Sequence, residues 1–410
     1  MPGVHVTADP AELGFDPERL ARIDRHFARY VDDGRLAGWQ VAVSRHGQVV
    51  HASTCGLADI AANRAWADDT IVRLFSMTKA VTSVAAMMLH EEGLLSLKDP
   101  ISRWIPSFAD VRVFKEGSHL KPVTVPATEP IRVWHLLTHT AGLTYGFHYS
   151  HPCDAIYRAR GFEWGTPPGV DLAEACDRWA TMPLVFQPGS EWNYSVATDV
   201  LGRLVEVISG QPLDEFLASR ILEPLGMVDT GFQVAAVDKD RFAALYSPHP
   251  ATGKAVPSPA DRPYFDPPGL LSGGGGLLGT AHDYLRFVHM LLGRGELDGV
   301  CLLGSRTVDY MTKNHLPGGT DLEQFGRKLF SENTYEGIGF GLGFSVTDSP
   351  VLNKTPSSPG EYAWGGAAST AFWCDPVEDI GVVFLTQLLP SSTHPIRPEL
   401  KQLVYQALVD

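Results

Sequence analysis

The spacing of apolar residues in the first quarter of the chain predicts a helix, a hairpin and a second helix. The segment "DPERLARIDRHFARYVDDGRL" has the amphipathic spacing of a helix, with a proline near its start and a glycine near its end. Two runs of strand-forming residues then flank the turn "RHGQ", which predicts a β-hairpin. The apolar segment "LFSMTKAVTSVAAMM" predicts a helix from Ser76 to about Glu92, ended by Gly93.

The remainder of the chain changes from helical to strand-like patterns near residue 230. "RVWHLLTHTAGL", "DLAEACDRWATM" and "VATDVLGRLVEVISG" have helical spacing, whereas "GFGLGFSVTDS", "EYAWGGAASTAFWCD" and "DIGVVFLTQLL" are β-rich and precede a last helix. Strands at both ends with helices between them predict an α/β (α+β) fold, in which an antiparallel sheet flanked by helices receives an inserted helical domain. We expect residues 1–75 plus about 231–410 to form the α/β domain. Residues from about 76 to 230 should form the mainly helical region, with a site at the boundary.

Charge and cysteine content narrow the classes of partner and compartment. The 410 residues carry a formal net charge of -14, which argues against nucleic acid and anionic membrane as partners and favours a small neutral molecule. Five scattered cysteines without a CxxC pair do not suggest a disulfide framework. The first residues show no signal-peptide pattern, and no apolar run is long enough for a bilayer. These features predict a cytoplasmic protein; they leave the oligomeric state unknown.

Ser76 and Lys79 are the first candidates for chemistry. Residues at i and i+3 share one face of a helix, so the amine can reach the hydroxyl, and a helix start offers a free backbone N–H to an anionic intermediate. Alone, the pattern S-x-x-K is weak, since about one or two matches are expected in a chain of this size. A second match, Ser118 to Lys121, is expected to lie in a polar loop that runs directly into Pro122, where no helix can present it. A solvated capping serine is the alternative interpretation of Ser76.

Two further segments add candidate groups. Tyr194 lies between a Pro-Gly turn and a helix in "FQPGSEWNYSVATDVLGRLVEV". A free tyrosine has a pKa near ~10, so it becomes a base at neutral pH only if a cation such as Lys79 stabilises its phenolate. The second segment, "AWGGAAST", begins with Trp364, Gly365 and Gly366 on a predicted strand. Its paired glycines permit close approach of a backbone or ligand, and a strand N–H facing Ser76 would complete an oxyanion hole.

Taken together, the motifs resemble those of the class C β-lactamase-like serine hydrolases, and in particular the family VIII carboxylesterases. "SMTK", "HLLTHTAGL", "QPGSEWNYS", "EPLGM" and "WGG" occur in that family's order and approximate spacing over nearly the whole chain. The resemblance implies that Ser76 is the nucleophile, Lys79 the adjacent proton acceptor and Tyr194 the base. It also implies that Ala367 donates the second oxyanion N–H beside that of Ser76. No metal or organic cofactor is implied.

Two departures from the β-lactamase pattern point to neutral esters. Trp364 stands where those enzymes have the lysine of K-T-G, and Val196 stands where they have the asparagine of Y-x-N. Neither residue can contact a β-lactam drug in the same way. The expected activity is therefore hydrolysis of carboxylic esters with short acyl chains through an acyl-Ser76 intermediate. A β-lactamase or D-amino-acid peptidase, an acyltransferase to an alcohol, and a non-catalytic binding protein of the same fold remain alternatives.

Several other residues have competing interpretations. His135 and His139 have the i, i+4 spacing of a metal pair, but no third ligand is evident, so helix packing is the preferred interpretation and no metal is expected. Tyr145, with Phe147 and Tyr149, is a candidate for the wall of the acyl pocket, although core packing explains the cluster equally well. "SGGGG" at 272–276 lacks the phosphate-loop pattern and is too short for a linker.

Overall fold

The computed structural model describes residues 3–327 and 334–409. Its α-helices are α1 (Pro17–Leu20), α2 (Arg22–Asp32), α3 (Thr78–Glu91), α4 (Val133–Leu137), α5 (Pro152–Ala159), α6 (Leu172–Ala180), α7 (Ala197–Ser209), α8 (Leu213–Leu217), α9 (Ala281–Leu292), α10 (Ser305–Met311), α11 (Leu322–Phe325), α12 (Pro350–Asn353) and α13 (Ile396–Tyr405). Its strands are β1 (Gly38–Arg45), β2 (Gln48–Asp59), β3 (Arg64–Ala65), β4 (Val72–Arg73), β5 (Arg112–Ser118), β6 (Lys121–Pro126), β7 (Tyr246–Pro248), β8 (Ala255–Pro257), β9 (Leu278–Gly279), β10 (Glu296–Leu297), β11 (Val300–Cys301), β12 (Ile338–Phe340), β13 (Ser345–Thr347), β14 (Tyr362–Gly365), β15 (Ala371–Asp375) and β16 (Ile380–Thr386).

One eight-stranded antiparallel sheet joins the two ends of the chain. Its strand order is β12-β13-β14-β15-β16-β1-β2-β3. Strand β1 pairs with β16 from Trp39 opposite Thr386 to Arg45 opposite Ile380, so the amino-terminal hairpin lies directly beside the carboxyl-terminal strands. The predicted sheet built from both termini, flanked by helices, is confirmed.

The predicted "RHGQ" hairpin forms as a two-residue turn. His46 and Gly47 both have positive φ (51° and 71°) between β1 and β2, a geometry that matches the twist of the flanking strands. Glycine adopts this conformation without steric cost, which explains why the turn falls where it does. The helix predicted before the hairpin is divided, because Ala21 separates α1 from α2.

Both faces of the sheet are covered. Phe27 of α2 and Leu400 of α13 pack with Trp39 and Phe384 in one cluster of buried residues. On the opposite face, α9 packs against β15 and β16, and Tyr284 contacts Phe372 with their rings 5.0 Å apart. All eight residues of β1 are buried, as expected for a central strand covered on both sides.

The middle of the chain is mainly helical, with α3 at its centre. Every residue of α3 from Thr78 to Leu89 is buried, and the helix packs against α7. A helix with apolar residues on every side and few charges is expected to lie inside the fold instead of at its surface. The predicted division into two domains stays a prediction. No helix of the described residues is long and apolar enough to cross a membrane.

The second S-x-x-K match lies at the tip of a hairpin and not in a loop as expected. Ser118 ends β5 and Lys121 begins β6, and the two residues face each other across the turn. Both are exposed. Strand geometry explains the difference, since Pro122 and the residues before it are compatible with an edge strand but not with a helix.

Candidate active site

Ser76 lies in a single 3₁₀ turn, Phe75–Met77, and not in the first turn of the long helix as predicted. The α-helix begins two residues later at Thr78. Phe75, directly before the serine, has φ 47°, a left-handed conformation that non-glycine residues adopt at a cost of about 1–3 kcal/mol. The tertiary structure holds this turn in place, since the Leu74 amide donates to the Leu277 carbonyl oxygen at 3.0 Å.

Lys79 brings its ammonium group to Ser76 as the spacing predicted. Its Nζ donates to Ser76 Oγ at 3.2 Å, to Tyr145 Oη at 3.1 Å and to the Gly274 carbonyl oxygen at 2.6 Å. Three acceptors match the three N–H donors of an ammonium group. The side chain is buried, so the apolar helix does place a charged group in the interior, and these contacts compensate for its desolvation.

Tyr194 lies on the other side of Lys79. Its ring centroid is 4.6 Å from Lys79 Nζ, and Trp364 Nε1 donates to Tyr194 Oη at 3.3 Å. The residues before and after Tyr194 in the chain hold it in place. The Asn193 amide donates to the His139 carbonyl oxygen at 3.0 Å, and α7 begins three residues after Tyr194.

The segment that starts at Trp364 reaches Ser76 by a turn and not by a continuous strand as predicted. Strand β14 ends at Gly365, and a turn follows in which the Gly366 amide donates to the Thr370 carbonyl oxygen at 3.0 Å. A Cβ at Gly366 would overlap the Leu74 carbonyl oxygen, so the glycine is what allows the two segments to touch. The predicted close approach of backbone is therefore present.

Two backbone amides at this junction have the properties expected of oxyanion donors. Among the hydrogen bonds of the described residues, neither the Ser76 amide nor the Ala367 amide donates to a protein acceptor. Both residues line the same cavity. Both amides are thus available to a ligand oxygen. The oxyanion roles of Ser76 and Ala367 stay a prediction, with which this arrangement is compatible.

Tyr145 contacts Lys79 directly, which a residue that only lines the pocket wall would not do. Beyond accepting from Lys79, its ring contacts Tyr194 at 5.4 Å between centroids. Burial, and secondarily the charge of Asp199, raises the pKa of Tyr145 well above its ordinary value. Tyr145 therefore stays a neutral phenol and serves as a hydrogen-bonding partner of the lysine.

The two histidines with metal-pair spacing have other contacts. His135 Nδ1 accepts the Arg132 amide at 3.0 Å and so caps the start of α4. His139 lies among aromatic rings, 5.0 Å from Tyr194 and 5.6 Å from Phe340, and its Nδ1 is 3.3 Å from Ser195 Oγ. Burial lowers the pKa of His135 to about 4 and that of His139 well below its usual value. Both rings are neutral structural groups at physiological pH.

A cavity of about 960 Å³ opens in front of Ser76, and aromatic rings line one side of it. The Tyr145, Phe147 and Trp164 rings form a stack, with successive centroids 4.6 and 4.5 Å apart and planes within 18° of parallel. Tyr149 does not belong to this wall, because its residue is 63% exposed and lies outside the lining. Trp164 takes the place that the sequence pattern suggested for Tyr149.

Asp199, Ser272 and Gly274 belong to the site but were not predicted from the sequence. An aspartate in the first turn of a helix has an ordinary explanation in the helix dipole, and a glycine run has an ordinary explanation as a turn. The signal that pointed to them was the glycine run itself, which did not fit a phosphate loop or a linker. Only the fold brings the run against Lys79.

The chain is similar in sequence and fold to known esterases. A family model described as Beta-lactamase matches residues 23–406. The chain is 32% identical to esterase EstB of Burkholderia gladioli, over 97% of this chain and 98% of that protein. It is 30% identical to a lovastatin esterase of Penicillium rubens, over 90% and 93% of the two chains. The solved structure of EstCE1, a hydrolase with promiscuous acyltransferase activity, superposes with a TM-score of 0.79 at 29% identity, covering 95% of this chain and 99% of that one.

Proposed function

The chain belongs to the Beta-lactamase family, and we propose that Ser76 is its nucleophile in a two-step hydrolysis of carboxylic esters. The protein is a serine carboxylesterase. The observation that carries the assignment of residues is the contact of Lys79 Nζ with Ser76 Oγ at 3.2 Å inside a large cavity. A nucleophilic hydroxyl needs an adjacent group that accepts its proton. The Lys79/Tyr194 pair accepts that proton in the form that has one proton fewer than ammonium plus phenol: a Tyr194 phenolate beside the Lys79 ammonium, or a neutral Lys79 amine beside the Tyr194 phenol.

In the acylation step, Ser76 Oγ attacks the ester carbonyl carbon while its proton passes to the Lys79/Tyr194 pair. The carbonyl oxygen becomes an oxyanion, and the amides of Ser76 and Ala367 stabilise it. Such donors typically contribute roughly a hundredfold or more in rate each. The intermediate then collapses: the C–O bond to the alcohol breaks, and Tyr194 returns the proton to the leaving alkoxide. The product of this step is an acyl-Ser76 ester and a free alcohol.

Deacylation repeats the sequence with water. The Lys79/Tyr194 pair takes a proton from water, the resulting hydroxide attacks the acyl carbonyl carbon, and the Ser76 oxygen leaves with the proton. Trp364 supports Tyr194 throughout, because its indole N–H donates to the phenol oxygen and stabilises negative charge there. No step uses a metal or an organic cofactor.

The lining around Ser76 favours neutral esters over β-lactams. Trp364 and Val196 both line the cavity at the positions where β-lactamases carry lysine and asparagine. Arg397 also lines it, and its Nη2 donates to the carbonyl oxygens of Gly366 and Thr370, so the guanidinium group helps to hold the turn after β14. We assign a neutral small-molecule ester as the partner, and neither nucleic acid nor membrane.

The decisive experiment compares wild type with Ser76→Ala. Wild type should hydrolyse p-nitrophenyl butyrate, form a covalent adduct with a fluorophosphonate probe and turn over nitrocefin far more slowly. Ser76→Ala should keep its fold by circular dichroism but lose both hydrolysis and the adduct seen by intact mass. Retention of more than a few per cent of the activity by Ser76→Ala would contradict the assignment of Ser76 as nucleophile. Turnover of nitrocefin by wild type faster than that of p-nitrophenyl butyrate would identify the protein as a β-lactamase.

Acyl transfer to an alcohol is the second candidate. The cavity of about 960 Å³ lies at the large end of small-molecule sites, which leaves room for an alcohol beside a short acyl chain. EstCE1, a structural neighbour, is itself described as a hydrolase with promiscuous acyltransferase activity. Partition of the acyl group between water and added alcohols, measured by mass spectrometry of the products, separates the two functions.

A cytoplasmic location is also proposed. The five cysteines lie in the structure as free thiols, and Cys153, Cys176 and Cys374 are buried. Thiols of this kind suit a reducing compartment. Fractionation of cells that express the native sequence tests the proposal, and recovery of the protein outside the cytoplasm would contradict it.

A further inference from the structure

The glycine-rich loop 272–276 contacts helices α3 and α7, and hydrogen bonds hold it from both sides. On the α7 side, Asp199 Oδ1 accepts from Ser272 Oγ at 2.5 Å and from the Gly274 amide at 3.0 Å. On the α3 side, Thr82 Oγ1 donates to the Gly273 carbonyl oxygen at 2.8 Å. The loop is therefore tied to the helix that carries Lys79 and to the helix that follows Tyr194.

Steric crowding explains three of the four glycines in the loop. A Cβ at Gly274 would lie 2.5 Å from Asp199 Oδ2, and one at Gly273 would lie 2.8 Å from the Thr198 carbonyl oxygen. At Gly276 it would lie 2.7 Å from the Phe232 ring. A side chain at Gly273 or Gly274 would push the loop away from α7, and one at Gly276 would push it away from Phe232. The low-complexity run thus has a packing reason that neither a linker nor a phosphate loop would require.

The loop supplies the shortest contact of Lys79. The Gly274 carbonyl oxygen accepts from Nζ at 2.6 Å, compared with 3.1 Å for Tyr145 and 3.2 Å for Ser76. A short contact between an ammonium group and a carbonyl oxygen is a charge-assisted hydrogen bond and restrains the amine strongly. Movement of Gly274 would therefore move Nζ relative to Ser76.

Asp199 also places a buried carboxylate beside the lysine. The residue is 5% exposed and lies in the first turn of α7, where the helix dipole stabilises negative charge. Burial raises the pKa of Asp199, and the charge of Lys79 opposes that effect. The charge of Asp199 also acts on two other titratable groups, Tyr145 from the segment after α4 and Cys176 from α6. Burial, with Asp199 nearby, raises the pKa of Tyr145 and of Cys176 well above their usual values, which leaves Lys79 as the counter-charge.

We propose that Asp199 is a positioning residue for Lys79. It fixes the 272–276 loop so that the Gly274 carbonyl oxygen holds the amine beside Ser76, and its carboxylate balances the charge of the ammonium form. The inference rests on the proposed function, since it assigns Asp199 a part in the acyl transfer through Ser76. Asp199 itself does not touch the reacting atoms in this assignment.

The first test is Asp199→Asn, which keeps the size of the side chain and removes its charge. We expect kcat on p-nitrophenyl butyrate to fall at least tenfold with KM within twofold of wild type. The acid limb of the pH profile should move to lower pH, because removal of the Asp199 charge disfavours the more positively charged, protonated form of the site. An unmoved acid limb together with unchanged kcat would overturn the proposal.

Asp283→Asn is the matched control. Asp283 is a fully buried aspartate in the first turn of α9, and it accepts from the Asp229 amide and from Thr230 Oγ1, both at 2.8 Å. None of these three residues lines the cavity. Its replacement should lower the thermal midpoint while leaving the pH profile of the folded enzyme in place. An equal displacement of the acid limb in both variants would make the effect a structural one and overturn the proposal.

If Asp199→Asn does not fold, two milder variants test whether the loop positions Lys79. Ser272→Ala and Thr82→Val each remove one hydrogen bond that holds the loop, and neither changes a charge. Each should lower kcat at least threefold at constant KM, and each should slow Ser76 labelling by a fluorophosphonate probe. If both keep kcat within twofold, the loop does not position Lys79. A wild-type protein that the probe does not label would instead refute the proposed function, so the two failures are distinguishable.

Discussion

At the residue scale, the two tyrosines beside Lys79 make different contacts and should differ in function. Tyr145 Oη accepts a hydrogen bond from the lysine, whereas the Tyr194 ring lies 4.6 Å from Nζ with its hydroxyl hydrogen-bonded to Trp364. Tyr145 is thus fixed as an acceptor for the ammonium group. Tyr194, supported by the indole donor, is the tyrosine suited to exchange protons with Ser76 and the leaving alcohol.

This difference predicts the effects of single substitutions on catalysis. Lys79→Ala and Tyr194→Phe should each lower kcat/KM for p-nitrophenyl butyrate by at least ~100-fold, as expected for positioned acid–base groups. Tyr145→Phe is the matched control, because it removes one hydroxyl from the same lysine. This variant should lower kcat/KM about tenfold, which corresponds to the free energy of one hydrogen bond to a charged group. A loss as large as that of Tyr194→Phe would mean that the base has been assigned to the wrong tyrosine.

At the scale of elements, the junction of β14 with the Ser76 turn depends on the absence of a side chain at Gly366. A Cβ there would overlap the Leu74 carbonyl oxygen, so Gly366→Ala must separate the two segments and displace the Ala367 amide. We expect kcat to fall roughly a hundredfold, the usual effect of losing one oxyanion donor.

Gly231→Ala provides the control for that substitution. The nearest atom to a Cβ at Gly231 is the Gln233 carbonyl oxygen at 4.0 Å, which is an ordinary contact. This variant should keep wild-type kcat. Steady-state kinetics with thermal midpoints for both variants checks the prediction, and full activity of Gly366→Ala would argue against an oxyanion role for Ala367.

The aromatic stack at the mouth of the cavity is a second element with a testable consequence. Trp164 is 57% exposed and completes the row that Tyr145 and Phe147 begin. Planar groups of a substrate should contact it, so Trp164→Ala should raise KM for naphthyl esters roughly threefold to tenfold. KM for methyl butyrate should not change. Tyr149→Ala, an exposed aromatic outside the lining, is the control. Equal effects of both variants on KM would rule out stacking.

At the scale of the whole molecule, buried neutral histidines make stability depend on pH. Burial lowers the pKa of His135 from 6.5 to about 4, so between these values the unfolded chain binds a proton that the folded chain does not. The free energy of unfolding should therefore decrease as the pH falls from about 6.5 to 4. The contribution of His135 is at most roughly 3 kcal/mol.

Denaturant unfolding of wild type and His135→Gln across this range measures the contribution. The variant should be less stable at pH 7, because His135 caps α4, but its stability should depend less on pH between 6.5 and 4. His5→Gln at an exposed position is the control and should follow wild type. Parallel pH curves for wild type and His135→Gln would contradict the prediction.

The sequence could predict those parts of the fold and site that depend on local patterns. Two runs of strand-forming residues around "RHGQ" predicted the β1–β2 hairpin, and strands at both ends of the chain predicted the antiparallel sheet that joins β1 to β16. Periodicity could not show that the nucleophile lies in a 3₁₀ turn, because the positive φ of Phe75 is imposed by contacts with distant residues. Nor could it show that β14 ends at Gly365, since a glycine pair is compatible with both a strand and a turn.

By itself, the sequence determined the spacing of Ser76 and Lys79, the apolar helix that carries the lysine, and the family motifs that imply acyl transfer. Those features are local, because a separation of three residues keeps a hydroxyl and an amine within reach of each other in a 3₁₀ turn as in an α-helix. Only the tertiary structure decided what surrounds that amine. Tyr145, Gly274 and Asp199 lie 66, 195 and 120 residues from Lys79 along the chain, and a buried charge is stabilised by whatever donors and acceptors the fold brings to it.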